Sequence, residues 1–255
     1  MNTISHFYKI EEISENTYRI EENGAVNCYL LIGDTKALLV DACWGIGNLK
    51  HCVTHLTKKP IIVAVTHMHP DHIGGTFQFG NFYAHKKDDT LFNNFLGNRF
   101  LHRLVTMKSN GKQEVCKRRR KFFIENGHIF DLGNREVEVK LIPGHTAGSL
   151  MFIDYANKIL FTGDNMNPHL WMHMPGSVSL EEWSESARQI LCYMENGYSA
   201  YIGHENGVMT KDQAETIYSY VQEIIEKNGK AAYYDQTVPI PQKIPSPKFF
   251  LIYEM

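Results

Sequence analysis

Four short stretches carry the residues that could do chemistry: THMHPDHIGG at 66–75, PGHTAGS at 143–149, FTGDN at 161–165 and IGHENG at 202–207. They supply His67, His69, Asp71, His72, His145, Asp164 and His204, enough imidazole and carboxylate groups to hold two divalent metal ions side by side. This donor mixture suits zinc first, with iron and manganese as alternatives. An enzyme is the leading reading of such a set.

The first stretch is the most constrained. Residues two apart share a face in extended chain but point to nearly opposite sides of a helix. His67 and His69 therefore converge on one ion only where the backbone is extended, and Asp71 and His72 then project toward a second position. The preceding run IIVAVT (61–66) is β-branched and apolar, which reads as a buried strand. Pro70 forbids a continuing ladder and turns Met68 and His69 away from helix, while Gly74 and Gly75 let the chain turn closely behind the site. The other three stretches repeat this arrangement: VEVKLI, KILFTG and SAYIG are strand-like, and each leads to a ligand beside glycine. His6, His51, His55, His85 and His102 stand alone and read as surface or core residues.

Around these ligand loops, the first forty residues alternate short strands (Thr17–Ile20, Cys28–Ile32, Ala37–Asp41) with turn signals at Asn23-Gly24 and Gly33-Asp34, a β meander. Leu49, Cys52, Val53 and Leu56 recur at helical spacing within 47–57, and Pro60 closes that helix. A second strand-rich part runs from about Ile129 to Gly163, with a hairpin between LMFID and KILFTG. Ser179 and Glu182 form a capping box ahead of an apolar stripe of Trp183, Ala187, Ile190, Leu191 and Met194. Thr210 and Gln213 open another helix, with Ala214, Ile217, Val221, Ile224 and Ile225 inward. PHLWMHMPG (168–176) reads as loop, and the C-terminal VPIPQKIPSPKFFLIYE as proline-punctuated chain returning to a sheet. Two strand-rich halves with helices predict an α/β, four-layer αββα sandwich of two mixed sheets, the ligand loops gathered along one edge.

The 255 residues, 43% of them hydrophobic, suffice for one full core, and no linker divides them. A single domain over 1–255 is expected, with 91–127 as a cap-like insertion near the site. The net charge of −2 gives no general pull toward nucleic acid or an anionic membrane. There is no run of 18 apolar residues, so neither a membrane span nor a membrane partner is expected. The start lacks a basic end followed by an apolar core, so no secretory signal is read. Five cysteines without a C-x-x-C spacing point to a reduced, cytoplasmic protein.

The ordered set from Asp41 through THMHPDH, PGHTAGS, FTGD and GH resembles the metallo-β-lactamase fold superfamily over about residues 16–210. The resemblance implies that His67, His69 and His145 hold one metal and Asp71, His72 and His204 the other, with Asp164 between them. It implies that Asp41 braces the ligand loop without binding metal. A dinuclear site lowers the pKa of a bridging water, so hydroxide is present at neutral pH, and polarises the bond under attack. Asp71 is then the catalytic base that orients that water and carries its proton.

The expected reaction is hydrolysis of an ester, thioester or lactone bond of a small molecule. The family's β-lactamases usually carry cysteine or serine at the position of Asp164. Its nucleic-acid-cutting members need a large insertion, and its flavodiiron members need glutamate at His69 and a further domain. Hydroxyacylglutathione hydrolases match the motifs but have a longer C-terminal part. Trp44, His169, Trp171 and His173 are candidates for the substrate pocket, and the aromatic-rich FNNFLGNRFLHRLVTM for a cap. The basic run KRRRK (117–121) makes a phosphodiesterase or ribonuclease the runner-up, although nucleic acid is not the expected partner. A mononuclear iron sulfur dioxygenase is a further alternative, against which Asp71, His72 and His204 are all retained. The oligomeric state is not legible in the sequence.

Overall fold

The structure, a computed structural model, describes residues 7–97, 99–106, 115–116, 118–227 and 250–253. Seven strands form the first sheet in chain order: β1 (Tyr8–Ser14), β2 (Thr17–Glu22), β3 (Val26–Ile32), β4 (Ala37–Val40), β5 (Ile61–Ala64), β6 (Asn81–Ala84) and β7 (Arg120–Phe123). β2 to β4 pair antiparallel as the expected meander, β1 joins β2 antiparallel at its edge, and β4 to β7 pair parallel through crossovers. The crossovers carry α1 (Leu49–Leu56), α2 (Pro70–Ile73), α3 (Thr76–Phe79), α4 (Leu91–Leu96) and α5 (Arg99–Thr106).

The second sheet contains β8 (Ile129–Asp131), β9 (Glu136–Leu141), β10 (Leu150–Asp154) and β11 (Ile159–Gly163). A short strand, β12 (His169–Met172), and a long helix, α6 (Leu180–Glu195), follow. Then come β13 (Ser199–Ile202), β14 (Val208–Met209), α7 (Lys211–Glu226) and β15 (Phe250–Tyr253). The second sheet runs β14-β13-β11-β10-β9-β8.

Strand alternation builds the four layers. In β3 every residue is buried, with Cys28, Leu30 and Ile32 packed toward the first helical layer and Tyr29 and Leu31 toward the other sheet. In β10 the same division sends Leu150 and Phe152 to the inter-sheet core and Met151 and Ile153 to the layer of α6 and α7. The expected αββα sandwich is the observed one.

Both long helices start where the sequence places them, but only one has the full box. Thr210 and Gln213 cap each other reciprocally at α7. At α6 the Ser179 hydroxyl accepts from Glu182 N–H (3.2 Å) without the return bond, and Trp183, Ala187, Ile190, Leu191 and Met194 are buried as expected.

Two expectations are corrected, and one strand is added. PHLWMHMPG is not all loop, because His169–Met172 form β12, with Leu170 and Met172 buried in the α6–α7 layer. The C-terminal strand does not rejoin a main sheet but pairs parallel with β12 in a two-stranded sheet of its own; residues 228–249 before it lie outside the described residues. β1, too polar to stand out in the sequence, adds an edge strand in which one of the seven residues is buried and three are exposed.

At one edge, Arg135 joins the sheets. Its Nε donates to Asp154 Oδ2 (3.1 Å), its Nη2 to the same carboxylate and to Thr17 Oγ1 (2.7 Å), and its Nη1 to Asn16 O (3.1 Å). Both charged side chains are buried.

Candidate metal centre

The ligand loops leave the ends of β4, β5 and β11 and precede or follow β10 and β13, so all four stretches meet at one edge of the sandwich. Asp41 sits just past β4 with φ +62°, a left-handed conformation rare outside glycine and held where the surroundings over-determine it. Its Oδ1 accepts from Thr66 N–H (2.7 Å), and its Oδ2 from the Thr66 hydroxyl (2.9 Å), with His72 Nδ1 also 2.9 Å from Oδ2. Asp41 thus fixes the start of the first ligand stretch and turns His72 Nε2 inward.

The other imidazoles are oriented in the same way, one nitrogen held and the other free to converge. His67 Nδ1 lies 3.1 Å from Thr66 Oγ1, His145 Nδ1 2.7 Å from Trp171 O, and His204 Nδ1 2.6 Å from Ala25 O. Holding the outer nitrogen selects the tautomer whose inner nitrogen can ligate. His69 is extended (φ −72°, ψ 152°) and precedes Pro70 at the first position of α2, as the sequence requires, and its Nδ1 comes to 2.8 Å from His145 Nε2. Gly74 and Gly75 serve close approach, not an unusual φ: a Cβ on either would collide with the carbonyl of Trp44 or Ala42.

The carboxylates complete the cluster. Asp164 Oδ2 lies 3.0 Å from His204 Nε2 and 3.8 Å from His145 Nε2, while its Oδ1 is 3.4 Å from His72 Nε2. Asp71 Oδ2 is 3.4 Å from His204 Nε2 and 3.8 Å from His72 Nε2. Three overlapping groups have ligand atoms within 4.8 Å of one another: His67, His69 and His145; His67, His72 and Asp164; and Asp71, His72 and His204. All seven ligand candidates from the sequence are therefore brought together.

The arrangement fits metal ions. His67 Nε2 is buried and, with Nδ1 held by Thr66, is aimed at the cluster with no hydrogen-bond partner among the described residues, which is costly unless a cation takes its lone pair. Burial holds His67 well below the usual imidazole range and His69 down to about 3, and it lowers His145, so the first group is neutral and ready to ligate. His72 behaves oppositely: burial disfavours its charge, but Asp164, Asp41 and Asp71 outweigh that and raise it well above normal. Against the same burial penalty, Asp164 lifts His204 to about 9. The carboxylates thus attract positive charge to the second position, and a bound cation would displace those protons.

Asp88 is a residue the sequence did not disclose. It lies in the charged run KKDD at 86–89, yet it is buried. Its Oδ2 accepts from Met68 N–H (3.0 Å) and the Thr146 hydroxyl (3.0 Å), its Oδ1 from Gly148 N–H (2.8 Å). It therefore ties the first ligand loop to the second. Asp88→Ala is expected to lower stability by about 3 kcal/mol, since two backbone donors and a hydroxyl lose their acceptor. It should also weaken metal retention. Urea unfolding and metal content after dialysis check both, and an unchanged midpoint would remove Asp88 from this role.

A cavity of about 660 Å³ opens on the cluster. His69, Asp71, His145, Asp164 and His204 form its polar end, and Trp44, Ile73, Phe77, Leu96, Trp171 and Met174 its apolar walls. Of the pocket candidates, Trp44, His169 and Trp171 line it, and His173 does not. His169 pairs with Glu205 beside it and is not within the ligand groups. His102, read as a structural histidine, also lines the cavity and packs on Phe77 at 4.5 Å between ring centroids. The segment expected as a cap contributes Leu96, Gly97 and His102 to the wall; residues 98, 107–114 and 117 lie outside the described residues.

The model of the family described as the metallo-beta-lactamase superfamily matches residues 22–191, more than half of the chain. The chain belongs to this superfamily. Among curated members, the human acyl-coenzyme A thioesterase MBLAC2 is 27% identical over 179 residues, which cover 60% of this chain and 61% of that one. The chicken MBLAC2 thioesterase is 24% identical over 243 residues, 85% of this chain and 83% of the relative. The match to the human protein thus spans less than two thirds of its length. Among solved superfamily structures, the metallo-beta-lactamase from Pontibacter korlensis superposes with a TM-score of 0.60 at 16% identity, over 84% of this chain and 99% of the other. That likeness concerns the fold.

Proposed function

We propose that this chain is a metal-dependent hydrolase that cleaves the thioester bond of an acyl thioester. The carrying observation is the placement of an apolar cavity directly against the cluster of converging histidines and carboxylates. The similarity to proteins named acyl-coenzyme A thioesterases supports the thioester within the wider class of esters and lactones.

In this reading His67, His69 and His145 would hold one ion and Asp71, His72 and His204 the other, with Asp164 a further donor beside both groups; zinc is the metal proposed. Bound there, two divalent cations would supply an activated water and polarise the acyl oxygen. The chain does the rest. Trp44, Ile73, Phe77 and Trp171 hold the acyl group and exclude bulk water. Asp71 orients the attacking water and takes its proton. The water oxygen bonds to the acyl carbon, the carbon–sulfur bond breaks with its electron pair going to sulfur, and the proton leaves through Asp71 to the thiol. Asp41 keeps His72 aligned throughout. The whole of 1–255 acts as a single domain on a small-molecule substrate. The cytoplasm is the proposed compartment, in keeping with five cysteines that are all free. Among the described residues no helix is long and apolar enough to cross a membrane.

The phosphodiesterase alternative gains little from KRRRK, because none of its described residues lines the cavity. Arg119 lies 3.9 Å over the Phe77 ring and donates to Gly97 O (2.7 Å), Lys121 pairs with Asp89, Arg118 and Arg120 are exposed, and Lys117 lies outside the described residues. The test is a rate panel on zinc-loaded protein with an acyl thioester, a carboxyl ester, a lactone and a phosphodiester. Thioester turnover should lead by at least about tenfold, which is about 1.4 kcal/mol of discrimination between transition states. Turnover of the phosphodiester alone would overturn the proposal, and oxygen uptake with iron bound would favour the dioxygenase.

A further inference from the structure

We propose that Arg19 and Tyr29 are positioning residues for His204, and that retention of a second metal ion depends on them while retention of the first does not. By sequence His204 belongs to the second sheet, on the loop 203–207 between β13 and β14. Much of that loop's support comes from the first sheet. Asn27 N–H donates to Gly203 O (2.7 Å), and His204 Nδ1 donates to Ala25 O in the turn between β2 and β3. Arg19 Nη1 donates to Asn206 O. The Tyr29 hydroxyl lies 2.5 Å from Ile202 O and 3.0 Å from Gly207 O, so its one proton is shared between carbonyls on the two sides of His204.

Arg19 and Tyr29 stand opposite each other in the β2–β3 ladder, and both are buried. Tyr29 packs between the sheets, 4.9 Å from Phe161 and 5.8 Å from Tyr201 between ring centroids. A hydroxyl in such a core is costly unless it is bonded, and its partners are the carbonyls that flank the ligand. Arg19 reaches the loop while Glu11 holds its Nη2 (2.7 Å). The loop itself is unusual: Glu205 and Gly207 have φ of +52° and +75°. For Glu205 that conformation persists only where the surroundings over-determine it. At Gly207 a Cβ would come within 2.5 Å of Arg19 Cδ, so glycine there lets the guanidinium close on the turn.

The His67, His69 and His145 group is supported from elsewhere. Thr66 and Trp171 hold the outer nitrogens of His67 and His145, and Asp88 ties their two loops. In the other group Asp71 and His72 share α2, and Asp41 holds His72, so His204 is the member brought across from the second sheet. Slackening 203–207 therefore displaces one ligand of one group. Hydrogen-bond partners behind a ligand typically carry about 10–100-fold in metal affinity. The inference rests on the two-ion reading of the site.

The test is a zinc titration of the metal-free full chain in competition with a chromogenic chelator, for the parent, Tyr29→Phe, Arg19→Met and His204→Ala. Thermal melting of the metal-free proteins is the folding control. Tyr29→Phe keeps the ring and its packing and removes only the hydroxyl. We expect the parent to bind two equivalents and Tyr29→Phe to hold the second about tenfold more weakly, with the first unchanged. Arg19→Met should act in the same direction. Thioester turnover of Tyr29→Phe should fall at limiting zinc and return in excess zinc. Added to His204→Ala, Tyr29→Phe should weaken zinc binding no further, because both act through one ligand. Equal weakening of both equivalents, or a further loss in the His204→Ala background, would show that the hydroxyl supports the fold at large and would overturn the inference. A parent that binds two ions while Tyr29→Phe holds the second as tightly overturns the inference alone. A parent that binds one overturns the two-ion reading and the inference with it.

Discussion

Asp71→Ala is expected to lower thioester turnover by about a thousandfold, within the range that a positioned acid or base contributes. The carboxylate stands at the cavity's polar end, 3.4 Å from His204 Nε2, so its removal takes away both the proton acceptor and a donor to the second metal position. The fold should survive. Asp71 lies in the short helix α2 with its side chain 20% exposed, and among the described residues its carboxylate faces His72 and His204. Thiol release measured at saturating substrate, with circular dichroism melting as the control, separates the two effects. Asp71→Asn sharpens the test, because the amide keeps the shape and a ligating oxygen but cannot accept the proton. Full turnover by either well-folded variant would contradict the role assigned to Asp71.

The largest effect on stability is expected away from the site, at Arg135. Removing one member of a buried ion pair leaves an uncompensated charge and costs about 3–5 kcal/mol. Arg135→Ala would strand the Asp154 carboxylate, fully buried at the sheet edge, where among the described residues Asn157 Nδ2 (2.7 Å) and, at longer range, Asn157 N–H (3.4 Å) would still donate to it. It would also release Thr17 and Asn16 of the first sheet from the second. The paired replacement Arg135→Met/Asp154→Leu should recover much of the loss, because no buried charge remains. Urea unfolding of the single variants and the pair completes a double-mutant cycle. A single variant within about 1 kcal/mol of the parent would show that Arg135 does not hold the two sheets together, since even exposed pairs reach that size.

The ligand set and the layered fold were legible because each leaves a local signature. His67, His69, Asp71 and His72 fall within six residues, and the chain before them is an apolar β-branched strand whose end must be loop. Buried strands such as β3 and β10 are apolar on both faces, and the inner faces of α6 and α7 recur at helical spacing, so two covered sheets follow from pattern alone. What stayed hidden depends on partners far away in sequence. Asp88 is a surface-like residue in a charged run until Met68, Thr146 and Gly148 fold around it. β12 carries few strand signals and exists through its pairing with β15, about eighty residues later. FNNFLGNRFLHRLVTM reads as a cap, and Leu96, Gly97 and His102 do line the cavity, but Phe95 and Phe100 are largely exposed, because which face of a short helix meets the site is set by how the helix docks and not by its own spacing.

The account stands on two metal ions serving one acyl-transfer site, and titrating metal-free protein with zinc while following thiol release from an acyl-coenzyme A tests that most directly. Activity should rise until two equivalents per chain are bound and level there, and His67→Ala and His204→Ala should each lose bound metal together with turnover. Activity that is complete at one equivalent, or that persists in the metal-free protein, would contradict the account.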